Sequence, residues 1–106
     1  MSPLVLFAQI TRKLSAIYPY LDQSSLLSSP SLEYKGRAFA CCKDGLLTLK
    51  INNRQQLDLL GVRANHGNGT WLTRHNGKWI QIPYYYHMDW EVLTQMALED
   101  AVAEFG

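Results

Sequence analysis

"GRAFACCKDGLLTLK" occupies residues 36–50, and how it is read decides the fold. Together with its neighbours, the stretch from Ser31 to Ile51 alternates apolar and polar side chains. That pattern suits three short antiparallel strands with turns at Lys35-Gly36 and Lys43-Asp44-Gly45. If Lys43, Asp44 and Gly45 form a three-residue loop with a left-handed glycine, Phe39 and Cys41 share a face with Leu47, Leu49 and Ile51. Ala38, Ala40 and Cys42 then share the other face with Thr48 and Lys50. A two-residue Asp44-Gly45 turn shifts the pairing by one and exchanges the faces. The first register is preferred because it sets Phe39 against the aliphatic row. In either register Cys41 and Cys42 point in opposite directions. They cannot both ligate one metal, and they lack the two intervening residues of a zinc knuckle. Packing is their expected role, since free cysteine is among the most buried residue types.

Upstream, Leu6, Ile10, Leu14 and Ile17 recur at helical spacing beside Phe7, with Arg12 and Lys13 turned away. Residues 4–18 therefore read as an amphipathic helix closed by Pro19. The serine-rich "LDQSSLLSSPS" (21–31), broken by Pro30, reads as an ordered loop that keeps Leu21, Leu26 and Leu27 inward. Downstream, Asn53, Gln56, Leu57, Leu60 and Gly61 carry the cap, capping-box, core and stop signals of a short helix. A polar loop, "RANHGNG", follows, and Asn76-Gly77 centres a second hairpin ended by Pro83. A last helix begins at an Asp89 N-cap, with Glu91 in its first turn and Leu93, Met96, Ala97 and Ala101 as its buried stripe. The expected order is α-β-β-β-α-β-β-α. This is an α+β, two-layer sandwich in which an antiparallel sheet of about five strands is covered by helices.

A chain of 106 residues, 47% hydrophobic, suits one domain over 1–106 with a core that needs no staples. Ten basic and nine acidic side chains leave a net charge of +1, far from a dedicated nucleic-acid binder. The first residues lack a charged n-region and a long apolar core, so a soluble, cytoplasmic protein away from membranes is expected. His66, His75 and His87 are widely spaced and match no metal or nucleophile motif. "GNGT" lacks the lysine of a phosphate loop, and the carboxylates read as turn, cap and solvent positions. No enzyme activity, metal or cofactor is expected.

Aromatic residues carry the functional signal. If Ile80 and Ile82 face the helices, Trp79 lies on the open face of the sheet, and Tyr84, Tyr85 and Tyr86 follow closely. Trp79, Tyr84, Tyr85 and Tyr86 are the expected protein-binding residues, for an unknown partner or a second copy. The alternative is DNA, held by Lys35, Arg37, Lys50, Arg63, Arg74 and Lys78.

Gly36, Phe39 and Ala40 fit a "gk-x-FA" strand, and Leu47, Leu49 and Lys50 an "L-x-LK" strand. With "DWEVLTQMALEDAV" behind them, these pieces resemble the small bacterial YjbR/MmcQ-like domains of the CyaY-like superfamily, and the related TfoX N-terminal domain. The chain lacks the "R-x-MFGG" segment of the TfoX type. The resemblance implies the two-layer architecture shared with secretion chaperones. It supplies no catalytic residues, and a DNA-binding role inferred for some members from their shape.

Overall fold

The computed structural model describes residues 2–26, 28–51, 65–66 and 79–106. The chain forms an α+β structure in which an antiparallel sheet packs with two helices. Helix α1 spans Pro3–Ile17, and its start is written into the first residues. The Ser2 hydroxyl accepts the Val5 N–H at 3.2 Å, while Pro3 sits where no intrahelical N–H is required. Phe7, Ile10 and Leu14 are buried, with Thr11 beside them, and Arg12 and Lys13 are exposed; of the expected stripe, Leu6 is only half-buried and Ile17, at the last turn, is exposed.

Strands β1 (Asp22–Leu26), β2 (Ser29–Tyr34), β3 (Arg37–Lys43), β4 (Leu46–Lys50), β5 (Asn65–His66) and β6 (Trp79–Ile82) form one sheet. Its order is β1-β2-β3-β4-β6-β5. The serine-rich segment read as a loop is in fact strand β1 and the start of β2, paired up to Leu26↔Ser29, with Ser28 at φ +67°. β1 is an edge strand exposed along most of its length, so it has no buried row to impose an alternating pattern on its sequence. Pro30 is tolerated because it sits in this outermost hairpin. Asn65 and His66, expected within a polar loop, pair with Gln81 and Ile80. The helix expected around Asn53–Gly61, the Asn76-Gly77 turn and Trp71 lie outside the described residues.

Both turns of the central meander are two-residue turns with two positive φ values. Lys35 and Gly36 are at +52° and +76°, and Asp44 and Gly45 at +53° and +76°. This is the left-handed geometry that matches strand twist. The three-residue loop is therefore overturned. Lys43 pairs with Leu46, Cys42 with Leu47, Cys41 with Thr48 and Ala40 with Leu49. Cys42 and Ala40, rather than Cys41, join the aliphatic row.

Phe39 reaches that row by another route. Leu32 pairs with Ala40 and Glu33 with Ala38, leaving Phe39 as the extra residue of a β-bulge. A bulge can re-aim a side chain, and Phe39 is buried in the same core as Leu32, Ala40 and Leu49.

The chain leaves β6 through Pro83 into a 3₁₀ helix, Tyr84–Asp89, and then helix α2, Trp90–Phe105. Asp89 occupies the cap position but makes no side-chain cap hydrogen bond, because the 3₁₀ turn already delivers the chain in helical conformation. Leu93, Ala97 and Ala101 are buried as expected, Met96 is half-buried, and Trp90, Thr94 and Leu98 join them. α1 and α2 touch through side chains. Lys13 meets Glu91 at 3.1 Å, and Gln95 Nε2 donates to the Tyr18 hydroxyl at 3.3 Å. One continuous core joins Phe7, Ile10 and Leu14 to Leu93, Ala97 and Leu98, and both sets to Leu47, Leu49, Ile80 and Ile82.

Candidate functional site

Alternation along β6 places Trp79 opposite in sense to Ile80 and Ile82, which enter the helix-covered core. Its direction is as expected; its exposure is not. Trp79 is only 4% exposed, and Cys41 and Thr48 on the same face are fully buried. The face is thus not open at its centre. β6 is flanked by β4 and β5, and an indole left in water there would forfeit the burial of a large apolar surface. Trp79 is withdrawn as an exposed contact residue.

The three tyrosines separate into different roles. Tyr84 is half-buried, with its ring edge-on to Trp90 at 5.4 Å and stacked on His87 at 5.0 Å. His87 Nδ1 lies 3.1 Å from the Tyr84 carbonyl, so this histidine is part of the local turn. Tyr86 is half-buried against the core. Tyr85 alone projects, 83% exposed, with its ring edge-on to Tyr86.

Two residues missed in the sequence continue the surface. The segment kinks at Tyr86, which has non-helical φ −96° and ψ 29°, and beyond the kink Met88 is 84% exposed. Val92, in the first turn of α2, is also exposed. The signal was present as the spacing 85, 88, 92, but it becomes a face only once the segment is known to be helical.

Of the six expected basic contacts, Arg63, Arg74 and Lys78 lie outside the described residues. Lys35, Arg37 and Lys50 converge on the C-terminal end of α2. Arg37 lies over the Phe105 ring at 4.2 Å, Lys50 approaches the same ring at 5.5 Å, and Lys35 Nζ donates to the Phe105 carbonyl at 3.4 Å. Cations at a helix C-terminus complement its dipole and its unsatisfied carbonyls. Asp100 and Glu104 line the same shallow cleft. The cluster is mixed in charge and its cations already serve the helix end.

Both cysteines are buried free thiols, and burial pushes each up to about 11. A raised folded-state value means the unfolded chain releases these protons first. The thiols' contribution is whole below about 9 and is lost as pH rises towards about 11. Urea unfolding in this window is expected to show wild type losing on the order of 1 kcal/mol per thiol more than a Cys41→Ala/Cys42→Ala variant. Ellman's reagent at pH 8 should leave both thiols unmodified until the protein unfolds. Fast labelling of the native state would contradict the packing role.

Among the described residues, no three histidine, cysteine or acidic side chains come together as a metal site. No helix among them is long and apolar enough to cross a membrane. The sequence matches no protein-family model, and comparisons with curated proteins and with solved structures return no match.

Proposed function

We propose that this chain is a non-enzymatic protein-interaction domain whose contact surface is the Tyr85, Met88 and Val92 side of the 3₁₀ helix–α2 corner. The observation that supports this reading is the exposure of two large side chains, Tyr85 and Met88, on one short segment. Tyrosine and methionine are enriched at protein interfaces because both offer large contact area, and methionine adapts to its partner. The segment behind them is anchored by the Trp90 hydrogen bond to the Pro83 carbonyl, so little ordering is needed on binding. A two-layer architecture of the YjbR/MmcQ-like kind is part of the same proposal, although the functional reading stands on the surface rather than on the resemblance. The DNA reading draws less support, since Arg37 and Lys50 share a cleft with Asp100 and Glu104, and Lys35 is engaged by the Phe105 carbonyl at the end of α2.

The test compares wild type with Tyr85→Ser/Met88→Ser, two exposed positions whose replacement leaves the core intact. Sedimentation velocity over a concentration series is the first readout, and quantitative pull-down from the source cells the second. The expected result is a self-association or a specific captured partner that the double variant loses, with binding weakened at least roughly tenfold. Identical behaviour of the two proteins in both experiments would overturn the proposal.

A further inference from the structure

On a separate part of the surface, the link between α1 and β1 builds a corner of two aromatic rings. Pro19 occupies the second position of a tight turn closed by the Leu21 N–H donating to the Tyr18 carbonyl at 3.1 Å. The turn fixes both flanking rings. Tyr18 and Tyr20 are 5.9 Å apart between centroids and inclined by 57°. The Tyr18 hydroxyl is held by Gln95, and Tyr20 rests edge-on against Tyr34 at 5.3 Å. The rings bound a groove of about 310 Å³, completed by Leu98, Glu99, Val102 and Ala103 of α2.

Three features of this groove agree in sign. Tyrosine faces carry negative quadrupole potential and attract cations, most strongly those whose charge is dispersed and easily desolvated. Glu99 supplies a full negative charge at the wall, and its Oε1 accepts only a long 3.5 Å contact from Gln95 Nε2. Among the described residues no lysine or arginine lines the groove, and no cation is paired with Glu99. Lys35 Nζ lies 5.6 Å from the centroid of the neighbouring Tyr34 ring. Leu98, Val102 and Ala103 make the floor apolar, which suits methyl groups better than a hydrated ammonium.

We propose that the groove between the Tyr18–Leu21 turn and α2 binds a small quaternary ammonium compound, its methyl groups against Tyr18 and Tyr20 and its charge facing Glu99. The volume lies at the small end of the range for ligand sites, consistent with a headgroup-sized molecule. The site is independent of the Tyr85 surface, so either proposal can fail alone.

Choline is the probe, and 3,3-dimethyl-1-butanol, its uncharged isostere, is the control. In a proton NMR titration of the full chain, the choline methyl signal is expected to move upfield, because the methyls sit over ring faces. Saturable shifts should appear at the amides of Tyr20 and Glu99. Choline should bind at least roughly tenfold more tightly than the isostere. Tyr20→Leu should weaken choline roughly fivefold or more, Tyr20→Phe should restore it, and Glu99→Gln should weaken choline several-fold without affecting the isostere. Tyr20 is half exposed, so these variants keep the fold, and a dispersed amide spectrum verifies it. Equal binding of choline and the isostere, no upfield methyl shift, or full binding by a folded Tyr20→Leu would each overturn the proposal.

Discussion

Trp90→Ala is expected to lower the free energy of unfolding by about 3–5 kcal/mol, a large share of the stability of an ordinary small domain. Trp90 is fully buried and is the first residue of α2. Its indole Nε1 donates to the Pro83 carbonyl at 3.2 Å, and its ring receives the edge of Tyr84. Truncation leaves a cavity that the surrounding core fills only in part, and it removes one of the two donors to the Pro83 carbonyl, which keeps the Tyr86 N–H at 3.0 Å. Trp90→Phe separates the two losses: most of the apolar volume stays, the hydrogen bond goes, and the expected cost falls to about 1–2 kcal/mol. Urea unfolding followed by circular dichroism measures both, with an unchanged slope verifying that the denatured state is not what shifted. A loss below about 1 kcal/mol for the alanine variant would mean that the 3₁₀ helix–α2 corner is not packed as described.

The same corner explains why the surface was only partly legible beforehand. The tyrosine run is plain in the sequence, and Tyr85 proves the exposed one. Which tyrosine projects depends on the local backbone, and that was unknown while the last helix was expected to begin only at Asp89. Met88 was invisible for the same reason. Trp79 teaches a complementary point. Strand alternation gave its direction correctly, because direction is local, whereas burial depends on whatever else approaches the face.

Elements with strong local signals were legible to within a residue. α1, expected over 4–18, runs Pro3–Ile17, and α2 begins directly after Asp89. β1 was missed because a polar edge strand has no buried row to advertise it. The β3–β4 register failed for a sharper reason. Placing Phe39 with the aliphatic residues was the right physical demand, but it was met by assuming unbroken alternation. The chain satisfies it with a bulge, which frees the turn to adopt its preferred two-residue form at Asp44-Gly45.

That solution carries its own expected result. Phe39→Ala should cost about 3–5 kcal/mol, since the ring is 1% exposed and belongs to the core shared with the helices. Cys41→Ala, two residues away on the other face, removes far less apolar volume and should cost about 1 kcal/mol. The pair of values alone does not prove which face Phe39 occupies, because both faces are buried near the centre. A double-mutant cycle does. Phe39 lines the same narrow cleft as Ala101 and Phe105 of α2, so Phe39→Ala and Phe105→Leu should be non-additive by about 0.5–1.5 kcal/mol. With unbroken alternation Phe39 would join Cys41 on the face outside the core shared with α2, and the two changes would add. Additivity within error would therefore remove the bulge from the account, while measurable coupling would tie it directly to the packing of the last helix.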